Sequence, residues 1–472
     1  MNKKILIVTA VLYGLVMLSS CKKYLDVKPD DKFLESQLFS SKVGIESVLN
    51  SIYLQLPNSP LYGENLSTTA VELFAQQYNY SASAYSAFSY YNFNDPSVVP
   101  VIDTIWSSSY NTIVNINKLI ANLAVYPGVV SKAESDIIAG EAYALRAMLH
   151  FDLLRLYGPV YSTHPQVSAI PYYTVATPDA QPFLNAADVM VKILADLHTA
   201  EGLLAADPII TLGKQEVLQN DGNDFLRFRN LRMNFYAVKA LEARVQLYAG
   251  NNAAALAAAQ NVINSGAALF PWSDPVAVNA GGNSDKVFSS EIVFALQNLN
   301  MYSQFDATFV SANSVLAPSD FRLQETYEVQ TGEGVNDYRY RSQWGGVLYG
   351  IMRQFLKYTD VTDQTKTFRY MQPMLRMSEM YYIAAESETD PALALGYLNT
   401  VRYNRGLSNL PDGTDINAEL LKEYRKEFYG EGQLFFYYKR TNASMIPDGS
   451  GMDDYSFQYM RDSYYVVPHP QY

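Results

Sequence analysis

The chain has 472 residues, 49% of them hydrophobic, a globular composition with enough apolar side chain for a large core. Its formal net charge is −12 and it carries no run of Lys and Arg, which excludes a role that depends on neutralising nucleic-acid phosphates. A single cysteine, Cys21, rules out an internal disulfide framework.

The N-terminus opens with Lys3 and Lys4, then an apolar stretch from Ile5 to Leu18 that ends in Leu18-Ser19-Ser20-Cys21. That stretch is short for a membrane span and is followed at once by Lys22 and Lys23. It reads as a signal peptide over residues 1–20, and the four residues ending at Cys21 resemble a bacterial lipobox. Cleavage before Cys21 and lipid attachment there are expected, giving a protein anchored to a membrane rather than spanning it. Residues 21–32, polar and interrupted by Pro29, form a tether, and residues 33–472 are expected to be a single domain.

Helical spacing of apolar residues begins at residues 41–54 (Val43, Leu49, Tyr53) and returns with Trp106, Tyr110, Ile113, Asn117 and Ile120. A long helix is predicted over residues 134–157, with Ala142, Leu145, Leu149, Leu153 and Leu156 on one face and Gly158-Pro159 as its stop. Helices follow over 186–204, 235–249 and 253–263, the last two folding back on each other across Gly250 to Asn252. A second such pair, 374–388 and 392–405, turns at Thr389-Asp390-Pro391, and a helix over 419–428 is broken by Gly430-Glu431-Gly432. Small residues (Ala237, Ala240, Ala243, Ala384, Ala385) recur where helices must approach, with Tyr248, Tyr381 and Leu398 filling between them. This is the logic of tetratricopeptide-like helical hairpins, each unable to bury its face alone. The fold class is therefore mainly α, with few short strands; Val287 to Leu296 is the best strand candidate. Two stretches, residues 62–100 and 269–370, lack sustained periodicity and are read as one long irregular layer, where function concentrates.

Catalytic signatures are missing from the sequence. Four histidines (His150, His164, His198, His469) show no paired metal spacing, and neither a nucleophile elbow nor a phosphate loop occurs. A glycosidase carboxylate pair leaves no sequence signature, and no other element of hydrolase chemistry accompanies the acids. The chain is expected not to be an enzyme and to need no cofactor or metal; Asn220 to Asp224 and Asp448 to Asp454 read as turns rather than calcium loops. Tyrosine is abundant, 38 residues. Sugar binding uses flat aromatic faces beside polar forks, and three loop segments offer both. They contain Tyr78, Asn79 and Tyr80; Tyr302 and Gln304; and Tyr340 and Trp344. The competing role for each ring is packing within its own loop, and Trp106 and Trp272 are read as core. A Glu386–Arg402 salt bridge is expected within the second helical pair, and Glu423, Arg425, Lys426 and Glu427 read as a solvated helix face.

Six segments in fixed order carry a family resemblance: CKKYLDVKPD, the W-x3-Y-x2-I-x3-N spacing of Trp106 to Asn117, EAYALRAMLHFDLLRLYGPV, NFYAVKALEARVQLYAGN, PMLRMSEMYYIAAES with ALGYLNTVRYNRG, and EYRKEFYGEGQLFFYYKR. Together they resemble the SusD/RagB family of outer-membrane nutrient-binding lipoproteins. Gln433 and Tyr437 depart from the Arg and Asp that the family often has there. The resemblance implies a non-catalytic, lipid-anchored, cell-surface protein that binds an oligosaccharide, or in some branches a peptide. It further implies a partner, a SusC-like TonB-dependent outer-membrane transporter that the protein caps like a lid, with loops holding the ligand. A repeat adaptor that binds only the transporter is the remaining alternative.

Overall fold

The structure, a computed structural model, describes residues 30–79, 85–177, 179–310 and 315–470. The leader, Cys21 and Tyr80 lie outside the described residues.

Helix α1 (Asp30–Phe39) packs on α2 (Lys42–Gln55), which starts where the Ser41 hydroxyl accepts the Gly44 N–H. Then come α3 (Val99–Val125) and α4 (Lys132–Tyr157). The latter opens on a capping box in which Ser131 and Glu134 satisfy each other's backbone N–H groups. After the hairpin of β1 (Ser168–Pro171) and β2 (Phe183–Asn185), α5 (Ala186–Leu203) packs against α4. The next hairpin joins α6 (Phe235–Tyr248) to α7 (Asn252–Gly266), with Asn234 accepting the Ala237 N–H as N-cap.

The loop-rich region that follows contains β3 (Ile292–Gln297), α8 (Met301–Phe309), α9 (Asp320–Thr326), α10 (Tyr338–Gln343), β4 (Trp344–Leu348) and β5 (Met352–Phe355). Next come β6 (Met371–Arg376), α11 (Met377–Ser387), α12 (Pro391–Tyr403), α13 (Ile416–Glu427) and α14 (Leu434–Arg440). A last hairpin is made by β7 (Met445–Pro447) and β8 (Phe457–Tyr459). The chain is 54% helical and its strands form, among the described residues, four antiparallel two-stranded sheets (β1–β2, β3–β6, β4–β5, β7–β8), with Met352 of β5 also bridged to Ser319, so it is a mainly α fold of tetratricopeptide type.

Two hairpins far apart in sequence meet directly, since α7 packs against α11, and Arg244 of α6 donates 2.6 Å bonds to both oxygens of Glu379 in α11. One continuous hydrophobic cluster runs through the scaffold and into the loop layer. Within it Arg146 of α4 clamps Asp196 of α5 through two 2.7 Å bonds, and Tyr172 donates to the same carboxylate.

Three expectations change. The predicted helix over 374–388 loses its first turn to β6, because Met371–Arg376 completes a sheet with β3. Glu386 and Arg402 do not pair with each other: Glu386 receives Arg440 at 2.6 and 2.8 Å, and Arg402 binds Glu423 at 3.1 Å and Glu333 at 3.4 Å. The charged residues of α13 are not solvated. Glu423, Arg425, Lys426 and Glu427 are all buried, at 0, 7, 1 and 2% exposure: Glu423 and Glu427 join a network with Arg339, Arg376, Arg402 and Arg405, Lys426 pairs with Glu423 and Glu328, and Arg425 pairs with Glu325.

Candidate functional site

The irregular layer is held together by its own backbone groups. The Asn79 N–H donates to the Ala317 carbonyl (2.8 Å), and the Asp320 N–H to that of Ile351 (2.8 Å). Ser319 Oγ donates to the Gly451 carbonyl (2.8 Å). Arg322 spans the β7–β8 connection, donating to the carbonyls of Asp448 (3.0 Å), Ser456 (2.9 Å) and Asp453 (3.2 Å). These bonds gather residues 76–79, 317–322, the β4–β5 hairpin and residues 448–456 into one loop cluster. Gly432 is required below it: its φ of +70° is left-handed, and a Cβ there would overlap the Leu66 carbonyl. Its N–H donates 2.7 Å to Glu72, whose carboxyl burial pushes up to about 8, against the backbone donors that pull it down.

Beneath the cluster lies a chain of aromatic contacts. Tyr78 meets Tyr429 at 5.7 Å, Tyr429 meets Trp344 at 4.7 Å, Trp344 meets Tyr327 at 6.4 Å, and Tyr327 meets Tyr340 at 5.3 Å. Phe305 and Phe309 of α8 join through Phe355. The loop candidates Tyr78, Tyr340 and Trp344 therefore converge, although the sequence places them in separate segments. Their exposure differs. Tyr78 is fully buried, and its hydroxyl donates to the Thr68 carbonyl (2.8 Å). Asn79 is 8% exposed, and Trp344 is 6% exposed at the wall of a wider pocket. Tyr340 is half-buried; Arg353 donates to its hydroxyl (3.1 Å) while also binding Asp320 (2.6 Å) and the Gly345 carbonyl (2.8 Å).

Tyr302 and Gln304 sit on α8, half-buried. The Tyr302 ring lies 4.7 Å from that of Tyr370, with the Arg369 guanidinium 5.9 Å away. Gln304 donates to Pro57 O (3.2 Å) and Ser59 Oγ (3.3 Å) and accepts from Asn298 (2.8 Å), beside a cavity of about 10 Å³ that is too small for a sugar ring.

Two wider openings adjoin these groups. One, about 630 Å³, lies between α2 and residues 216–232; in it Arg232 is stacked 4.2 Å from Phe225 and Arg369 forms part of the wall. The other, about 600 Å³, lies between residues 278–286 and the segment from Arg341 to Thr362, with Trp344 in its wall. Both fall in the ~300–1,000 Å³ range of small-ligand sites. The open rings at the tips of the loop cluster, Tyr349 (77% exposed) and Tyr455 (90% exposed), are not among the sequence candidates. Gly345, Gly346 and Gly350 around Tyr349, and the Asp-rich turn before Tyr455, were the available signal. The two turn segments named above are occupied by the chain itself: Asp221 and Asp224 accept from Arg227, and Asp448 caps the Ser450 N–H.

Comparison with known proteins agrees with this architecture. The SusD-like family described as "Starch-binding associating with outer membrane" matches residues 23–213, and the SusD/RagB family matches residues 276–468. Comparison with curated proteins gives no match. Among solved structures, a SusD superfamily protein from Bacteroides thetaiotaomicron VPI-5482 superposes with a TM-score of 0.70 at 21% identity, over 90% of this chain and 96% of its own. A SusD-like carbohydrate binding protein from Bacteroides vulgatus ATCC 8482 gives 0.65 at 18% identity, over 86% and 84%. A laminarin binding SusD-like protein gives 0.59 at 20% identity, over 85% and 92%. At these identities the superpositions carry the fold, and the two family matches, which together span most of the sequence, carry the kinship. The chain belongs to the SusD/RagB family of outer-membrane-associated binding proteins.

Proposed function

We propose that this protein is a cell-surface lipoprotein, anchored through Cys21, that binds a nutrient oligosaccharide without turning it over and passes it to a SusC-like TonB-dependent transporter. The observation that carries the reading is the loop cluster. It carries the open rings Tyr349 and Tyr455 at its tips and packs over a buried aromatic base, on which half-buried Tyr340 meets Tyr327 and from which Trp344 enters the wall of a ligand-sized opening. Tyr302, also half-buried, lies near Arg369 in the wall of the other. Flat rings complement the C–H faces of pyranoses, and the amides and guanidinium groups nearby suit their hydroxyls. Tyr302, Gln304, Tyr340, Trp344 and Asn79 are the proposed contacts, and Tyr80, which lies outside the described residues, is proposed with them from the sequence alone. Tyr78 serves as their buried support.

The test is calorimetry of the unlipidated chain against neutral oligosaccharides, acidic oligosaccharides and peptides, followed by recovery of the bound material. Saturable binding of an oligosaccharide that is recovered intact is expected. Cleaved product would make the protein a hydrolase, peptide binding alone would move the ligand class, and binding of none would leave a transporter adaptor.

A further inference from the structure

The 600 Å³ pocket has a lining that contrasts with the charge of the chain. Lys286 is 8% exposed, and its ammonium has one partner, the Thr359 hydroxyl at 2.8 Å, with no ion pair among the described residues. Other buried lysines are better satisfied: Lys357 pairs with Glu431, Lys426 with Glu328 and Glu423, and Lys439 donates to two carbonyls. An ammonium carries three donors, and burying its charge beside one neutral acceptor is unfavourable until an anion arrives. Nearer to solvent, the exposed Arg341 side chain makes no hydrogen bond or ion pair among the described residues, whereas Arg339 two positions earlier is fully engaged. One carboxylate lines the pocket, that of Asp360, which is 56% exposed and 3.6 Å from Arg369. The remaining lining offers hydroxyls (Ser284, Ser342, Thr362) and an apolar wall of Trp344 and Leu356, and a Cβ on Gly281 or Gly282 would meet nothing within 4 Å.

We propose that this pocket binds an acidic saccharide, with Lys286 and Arg341 receiving its anionic substituent, the carboxylate of a uronic acid or a sulfate ester. A small inorganic anion would satisfy the two cations and leave most of 600 Å³ empty. A neutral sugar would fill the space and leave the Lys286 charge uncompensated. An acidic sugar does both: its anionic group answers Lys286 and Arg341, its hydroxyls meet Ser284, Ser342 and Thr362, and its ring face meets Trp344. The inference rests on the reading of the chain as a glycan-binding protein and names the glycan class.

The experiment is calorimetry of the full mature chain against an oligogalacturonate (carboxylate only), a carrageenan-derived tetrasaccharide (sulfate only), cellotetraose (neutral) and an acidic tetrapeptide. It is repeated with Lys286→Met, which keeps the buried stem, and Arg341→Ala, which alters an exposed side chain. One acidic oligosaccharide is expected to bind at least tenfold tighter than cellotetraose, to weaken as salt rises, and to lose about tenfold in either variant while thermal melting shows each variant folded. Which acidic arm binds distinguishes carboxylate from sulfate. Should Lys286→Met fail to fold, Arg341→Ala alone decides. Cellotetraose binding as tightly as both acidic arms overturns the inference and leaves the glycan reading intact, as does acidic binding that Arg341→Ala does not weaken. Preference for the peptide, or no saturable binding in any arm, overturns both.

Discussion

Arg405 and Glu427 share a fully buried ion pair, with Nη2 of the arginine 2.6 Å from Oε1 of the glutamate and Nε 3.0 Å from Oε2. The Glu427 carboxylate also receives Arg339 at 2.8 Å and Arg376, while Arg405 reaches Glu291 at 2.7 and 2.9 Å. The network therefore pins α13 to α10, to the loop after α12 and to the end of β6. Removing one member leaves several buried charges uncompensated, which costs about 3–5 kcal/mol. Glu427→Gln is expected to lower the stability measured by urea unfolding by that amount. Asn417→Ala, at an exposed position in the first turn of the same helix, should change it by less than about 0.5 kcal/mol.

The same network makes stability depend on acid. Burial alone would raise the Glu423 carboxyl, but the charges of Arg339, Lys426 and Arg402 hold it down to about 2. A carboxyl with a lowered folded pKa contributes stability that is complete above its unfolded value near 4.5 and is lost as pH falls toward 2. The expected loss across that window is about 3 kcal/mol for this group. Unfolding midpoints measured from pH 6 to pH 2.5 should fall most steeply below 4.5, and Glu423→Gln should flatten the fall.

His150 acts at higher pH. Its ring, stacked 3.8 Å from Tyr172, has Nδ1 2.9 Å from the Arg146 carbonyl and Nε2 3.1 Å from the Tyr173 N–H. The neutral tautomer protonated on Nδ1 satisfies both contacts, whereas a proton on Nε2 would oppose an N–H. Burial pushes the imidazole down to about 3, outweighing the Arg146 carbonyl that works the other way. The unfolded chain takes up this proton near 6.5 and the folded chain does not, so stability falls as pH drops from 6.5 toward 3, by roughly 1.4 kcal/mol per pH unit. His150→Leu is expected to remove that slope between pH 6 and 4.5, at the cost of the Tyr173 hydrogen bond.

The scaffold was legible because its helices repeat apolar residues at 3.6-residue spacing over several turns, as from Trp106 to Leu123 and from Ile137 to Tyr157. What was illegible depended on partners distant in sequence. Met374 to Arg376 reads as helix until β3 supplies a strand to pair with. Glu423 and Glu427 read as a wet face because sequence spacing does not reveal that Arg339, Arg376 and Arg405 converge on them. For the loop aromatics the limit is of another kind. A tyrosine in an aperiodic segment looks the same whether it packs, as Tyr78 does, or stays open, as Tyr349 does.

The proposed anchor is tested by Cys21→Ala. A thioether-linked lipid is the proposed attachment; since α1 begins at Asp30, the tether is residues 21–29, whose fully extended length would be at most roughly 30 Å. The variant is expected to lose label from a radioactive fatty acid and to leave the outer-membrane fraction. Retained labelling and surface staining of intact cells would refute the anchor.

The aromatic layer separates support from contact. Tyr78→Phe removes a buried hydroxyl that donates to the Thr68 carbonyl, so it should cost about 1 kcal/mol of stability and leave oligosaccharide affinity unchanged. Tyr340→Ala and Tyr302→Ala truncate half-buried rings, whose loss disturbs the base less but removes a face for the sugar. Each is expected to weaken binding about tenfold, equivalent to ~1.4 kcal/mol, with a smaller effect on melting than on affinity. Because Arg353 holds the Tyr340 hydroxyl, Tyr340→Phe separates the two contributions. It keeps the ring face and should retain most of the affinity, whereas an equal loss in Phe and Ala variants would place the contact at the hydroxyl and its arginine instead of the ring.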